Sequence, residues 1–190
     1  MRSLLALAVA MCAIGILDRA TAGSGNHTTQ EERKCAVEGF VIETNPKGLN
    51  VRKSPTGRAK ILGTLPTKDA QTFVHIAAAK RGWFLIDDVQ VIALSGKEPK
   101  AAPKHGWVHG RMLGTMIHAN AHGRRGGGLH LYERPEVRST ILHTVEAVVS
   151  VVRLLDCAGE WSKVEVFYAD GTMASGWLHP YDQCGSSSCP

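Results

Sequence analysis

The side chains best suited to recognising a ligand are four tryptophans. Trp83 follows Arg81-Gly82 and Trp161 follows Gly159-Glu160, and each opens an apolar run. A rigid aromatic in that position offers a peptide or glycan a large contact area at low entropic cost. It serves equally well as a half-buried core residue. Trp107 and Trp177 lie between a glycine and an aliphatic residue, which places them in the core. Acid–base or metal chemistry would fall to His75, His105, His109, His118, His122, His130, His143 and His179. No pair has the helical spacing of a zinc site with an acidic partner. His118 and His122 are four apart, but their stretch is Gly-rich and unlike a helix. These histidines therefore read as surface residues. A hydrolase would need a nucleophile, and Cys157 in Cys-Ala-Gly-Glu-Trp, with a distant histidine as base, is the one candidate.

The N-terminus bears on that cysteine. Residues 1–3 form a short positive head, residues 4–17 carry no charge, and Ala20-Thr21-Ala22 supplies a small-x-small exit. This is the pattern of a secretory signal peptide, residues 1–22. Its 14-residue apolar core is short for a membrane anchor. Cleavage leaves Cys35, Cys157, Cys184 and Cys189, an even number in an oxidising compartment, where disulfides are the rule. A paired Cys157 is no nucleophile, so the sequence argues against an enzyme. Four cysteines allow three pairings, and spacing does not choose among them.

Length and charge exclude more. The chain has 190 residues and a net charge of +5, which becomes +4 without Arg2, Asp18 and Arg19. That charge is spread along the chain, and Arg124-Arg125 is a pair rather than a stripe, so nucleic acid is not the expected partner. No later segment is long and apolar enough for a membrane span. No cofactor or metal is implied.

The elements that must position the tryptophans come in two copies. Sliding the chain by 80 residues aligns residues 48–64 with 128–144, and seven of the 17 positions are identical. Trp83 then falls opposite Trp161, and Gly106-Trp107-Val108-His109 opposite Gly176-Trp177-Leu178-His179. The landmarks keep their order while the loops change length, which is the mark of an internal repeat. Short apolar runs at residues 60–65, 72–77 and 83–92, and again at 141–145, 148–155 and 161–168, predict strands. Asp170-Gly171 predicts a tight hairpin turn. The equivalent connection in the first copy, residues 93–105, is longer, rich in Lys and Pro, and expected to be exposed.

The first copy resembles the bacterial Src homology 3 domain. The landmarks are Leu49-Asn50-Val51-Arg52, Pro55, Ile61-Leu62-Gly63, Gly82-Trp83 and Gly106-Trp107-Val108, in family order. The second copy is a looser match: Leu129-His130-Leu131-Tyr132 replaces the opening motif, while Trp161 and Gly176-Trp177-Leu178 remain. The resemblance implies an all-β fold of two tandem SH3-like β-barrels, residues 39–118 and 128–184. An exposed segment (23–38) precedes them, a Gly/Arg linker (119–127) joins them, and a tail (185–190) follows.

The resemblance further implies a non-catalytic module that binds peptidoglycan or an envelope peptide, in the periplasm or outside the cell. An envelope adaptor without wall affinity is the alternative. The fuller motif places the ligand groove in the first copy, with Trp83 as platform, Asn50 and Arg52 beside it, and Arg52 facing a stem-peptide carboxylate. Met112 stands where relatives carry a groove tyrosine; in the second copy that place is Asp182, with Tyr181 one residue off. The resembling fold also sets Cys157 near Cys184, which favours that disulfide over Cys184–Cys189.

Overall fold

A computed structural model describes residues 31–96, 101–117, 128–145 and 150–185. The signal peptide, the Gly/Arg linker and Cys189 lie outside the described residues. The described chain is all-β: thirteen strands and two single-turn 3-10 helices, with no α-helix.

The strands are β1 (Arg33–Val41), β2 (Leu49–Arg52), β3 (Ile61–Leu65), β4 (Ala70–Lys80), β5 (Trp83–Ala93), β6 (Gly106–His109) and β7 (Leu113–Ile117). They continue as β8 (Leu129–Tyr132), β9 (Ile141–Val145), β10 (Ser150–Ala158), β11 (Trp161–Phe167), β12 (Met173–Leu178) and β13 (Gln183–Cys184). The 3-10 turns Gly110–Met112 and Pro180–Asp182 precede β7 and β13. The series β2 to β7 is thus repeated, element for element, by β8 to β13. The repeat extends to single hydrogen bonds. Lys53 N–H donates to Lys60 O at 2.9 Å, Thr56 N–H to Ser54 O at 2.8 Å and Ala59 N–H to Thr56 O at 3.1 Å. Residues 133–139 close the second copy's loop with the same three bonds, to Thr140, Arg134 and Glu136, at the same lengths.

The turns follow from residue type. Arg81 and Gly82 join β4 to β5 with φ of 52° and 75°, the left-handed pair that matches strand twist in a two-residue hairpin. At the Asp170-Gly171 turn, the Asp170 carboxylate accepts from Thr172 N–H at 2.9 Å and Thr172 Oγ1 at 2.7 Å, and Gly171 takes φ 85°. The glycine of each closing motif has a steric cause. A Cβ on Gly106, whose φ is 146°, would stand 2.5 Å from Val51 Cγ1, and one on Gly176 would stand 2.8 Å from Leu131 Cβ. Only glycine lets β6 and β12 approach β2 and β8 this closely.

Three expectations need correction. First, residues 33–38 are not an exposed lead-in. They form β1, with Cys35 and Val37 buried and Lys34, Ala36 and Glu38 outward. The period-2 alternation was present in the sequence, but it lies outside the repeated span. Second, the ladder does not form two separate, closed barrels. The strands join in one sheet, in the order β3-β2-β6-β5-β4-β1-β7-β10-β11-β12-β8-β9, with β13 on β7. That path is open at β3 and β9, and its strand pairs are antiparallel. The hinge is β7. It pairs β1 through Gly114 and Leu113, as last strand of the first copy. It also pairs β10 and β13, as first strand of the second. One strand serves both modules, so their cores merge into a single cluster from Cys35 to Leu178. Third, the connection expected to be exposed is so at Leu94, Ser95, Gly96, Ala101, Lys104 and His105, but between them Pro103 covers Gly63 on β3 and Ala102 packs on the core.

The start of β1 is sewn to the β10–β11 hairpin. Arg33 pairs with Asp156 at 2.9 Å, and Cys35 forms a disulfide with Cys157 across 122 residues of sequence. Ala36 N–H donates to Gly159 O at 2.7 Å and Gly159 N–H to Lys34 O at 3.0 Å. The expected Cys157–Cys184 bond is therefore absent: Gln183, after the closing motif, does bond to the hairpin at Ser162 and Glu160, but it is β1 that brings its cysteine to Cys157. Cys184 is itself disulfide-bonded elsewhere.

Candidate functional site

Each strand-opening tryptophan meets the histidine that ends the closing motif. Trp83 and His109 face each other across β5 and β6, with ring centroids 5.1 Å apart and planes at 77°. Trp161 and His179 repeat this at 5.0 Å and 77°. Both histidines also cap the following 3-10 turn. Nδ1 of His109 accepts from Arg111 N–H at 3.4 Å, and Nδ1 of His179 accepts from Tyr181 N–H at 3.3 Å. An accepting Nδ1 requires the proton of the neutral ring on Nε2, and the cap bond holds each ring in place against its tryptophan. Burial, and then the neighbouring Arg111 charge, push the His109 pKa below its ordinary value, in keeping with the accepting role.

Around this shared pair the two copies diverge. The positions that correspond to His130, Tyr132 and Tyr181 of the second copy are Asn50, Arg52 and Arg111 in the first. The second copy thereby builds a continuous run of rings. His130 lies 6.3 Å from Tyr132, Tyr132 5.6 Å from Trp161, and His179 5.2 Å from Tyr181. Tyr132 is buried at the foot of this run, His130, Trp161 and His179 are half-buried, and Tyr181 is 64% exposed at its end. Edge-to-face neighbours hold their rings in fixed orientation, which lowers the entropic cost of stacking a ligand on them.

No protein-family model and no curated protein sequence matches this chain. The site must be judged on its chemistry.

The residues expected to form the first-copy groove are only partly brought together. Trp83 is half-buried against His109, and Asn50 and Arg52 are half-buried on β2. The Arg52 guanidinium donates to Ala59 O at 2.8 Å, so part of its hydrogen-bonding fork is spent on bracing the β2–β3 loop. Met112 is half-buried and packs against the core. Trp107 and Trp177 are buried, at 7% and 6% exposure, as expected for core residues. Asp182 is buried too, while Tyr181, one residue away, carries the exposed ring. Cys157 is fully buried and disulfide-bonded, so it is no free nucleophile. Among the described residues, no group of three or more His, Cys, Asp and Glu side chains could hold a metal ion.

Sequence reasoning set His109, His130 and His179 aside as surface histidines and gave Tyr132 no role beyond replacing the opening motif. The signal for two of them was in hand: both closing motifs end in histidine, and a surface residue without a role need not recur.

Proposed function

We propose that this chain is an exported, non-catalytic binding protein whose SH3-like modules recognise peptidoglycan or an envelope peptide. The observation that carries the reading is the aromatic run from His130 to Tyr181, rooted on buried Tyr132, half-buried along its middle and exposed at Tyr181. The second copy replaces polar and cationic positions of the first with rings, and partly exposed rings held side by side bind sugar or peptide planes. The first copy, with Arg111 beside the Trp83–His109 pair, supplies positive charge for a carboxylate of the same polymer. A buried disulfide joining β1 to β10 suits an oxidising compartment, in the periplasm or outside the cell. Among the described residues no helix is long and apolar enough to cross a membrane.

Co-sedimentation with purified cell walls, beside capture from an envelope extract, tests this. Wall binding that falls in the Tyr181→Ala protein supports the reading. Capture of an envelope protein without wall binding favours the adaptor alternative.

A further inference from the structure

The Trp83–His109 pair of the first copy belongs to a row of side chains that crosses three strands. Lys80 on β4 is the ladder partner of Trp83 on β5, and Trp83 is the ladder partner of His109 on β6. Ladder partners point to the same face of a sheet. The neighbouring residues Ala79, Phe84 and Val108 enter the core, so Lys80, Trp83 and His109 line the outer face. All three are half-buried. Arg111 follows on the 3-10 turn that His109 caps; it is exposed, and close enough for its charge to act on the His109 ring. The aromatic pair thus has a cation at each end.

These cations are uncommitted. Neither Lys80 nor Arg111 has an ion-pair partner among the described residues. Lys34 on β1 adds an exposed third cation opposite Ala78, two residues along β4 from Lys80. The first carboxylate along β5, Asp87, is already engaged by His75 at 2.6 Å. The second copy shows that the frame does not need the charges. There Ala158 stands opposite Trp161 and Tyr181 follows the histidine, yet the Trp161–His179 rings keep the same 77° geometry as Trp83–His109. Both ends of the row differ between the copies in the same sense, cationic in the first and neutral in the second. Charge that the fold does not use, placed on both sides of a partly exposed indole, is suited to a ligand that is both ring-shaped and anionic.

We propose that this face of the first copy binds an acidic sugar, one whose ring carries a carboxylate. The exposed part of the Trp83 indole takes the C–H face of the sugar, and Lys80 and Arg111 hold the carboxylate, the guanidinium through its planar fork. The second copy, with neutral residues at the matching positions, takes uncharged parts of the ligand. The inference deepens the proposed binding reading and rests on it for the choice of a sugar.

The probe is trigalacturonate, with its methyl ester as the uncharged counterpart. Binding to the full chain is followed by amide chemical shifts. Trigalacturonate should shift the amides of β5, β6 and the Gly110–Met112 turn. Its affinity should fall about fivefold or more in Lys80→Gln/Arg111→Gln, and the methyl ester should bind the native protein no better than that. Added salt should weaken trigalacturonate alone. Lys80→Arg/Arg111→Lys keeps both charges and should lose less affinity than the glutamine variant. An unchanged melting temperature of the glutamine variant excludes unfolding as the cause. Equal affinities of the two sugars, no loss in the glutamine variant, or shifts centred on β11 and β12 would overturn the proposal. Uronate binding that needs both cations, in a protein that does not bind walls, upholds the anion site and overturns the wall reading. Wall binding through Tyr181 without uronate binding does the reverse.

Discussion

Replacing both Cys35 and Cys157 with alanine tests whether the two copies are one folding unit. The bond closes a loop spanning 122 residues, so it restrains the chain from β1 to β10 in the unfolded state. The chain-entropy relation gives about 5 kcal/mol for a loop of that size, and natural disulfides typically deliver ~2–5 kcal/mol. Cys157 is fully buried, so the lost sulfur contacts add to the cost rather than offset it. The Arg33–Asp156 pair and the Gly159 backbone bonds survive the substitution, but they act only in the folded state. We expect a loss of about 3–5 kcal/mol, read as a fall in melting temperature of roughly 10 °C for a domain of this size. Urea denaturation should show one transition in both proteins. A fall below about 1 kcal/mol, or two transitions in the native protein, would refute the shared-core account. Non-reducing peptide mapping must recover Cys35 joined to Cys157.

Other perturbations bear on single elements. Gly106→Ala should cost about 2–3 kcal/mol in chemical denaturation, because the new Cβ meets Val51 and the backbone is strained for an L residue; a neutral result would contradict the close approach of β6 to β2. Since the folded state lowers the His109 pKa, unfolding takes up a proton as the pH drops below the ordinary value of 6.5. The contribution of His109 to stability is thus complete above that pH and is lost below it. His109→Gln should flatten this part of the pH–stability profile, and an unchanged acid slope would count against it. Tyr181→Ala should leave the melting temperature within about 1 °C of the native value, since the ring is largely exposed, whereas Trp161→Ala should lower it by several degrees.

Much of the fold was legible in the sequence because strand formation is local. Runs such as residues 83–92 and 161–168 alternate or stay apolar over the right length, and Asp-Gly and Arg-Gly mark the turns between them. The repeat fixed the order of β2 to β7 and β8 to β13. What stayed hidden was non-local. That β7 would close one module and open the next depends on pairing choices at Gly114 and Ile117, which no local pattern encodes. The disulfide followed the same rule: Cys35 pairs with Cys157 only because β1 folds against the distant β10–β11 hairpin. At the candidate site, motif completeness drew attention to the first copy. The second copy's departures, Asn50 to His130, Arg52 to Tyr132 and Arg111 to Tyr181, are what assemble its ring surface. A loss of motif was in this instance a change of surface chemistry, and it becomes visible only when the strands are placed side by side.

The most direct test of the binding surface is the affinity of soluble peptidoglycan fragments for the native protein, Trp83→Ala and Tyr181→Ala, measured by calorimetry on samples of verified fold. If the aromatic run is the platform, Tyr181→Ala should lose about 2 kcal/mol, roughly thirtyfold in Kd, at unchanged stability. Trp83→Ala should lose less. Native affinity in Tyr181→Ala, or a larger loss in folded Trp83→Ala, would contradict the account and return the ligand to the first copy.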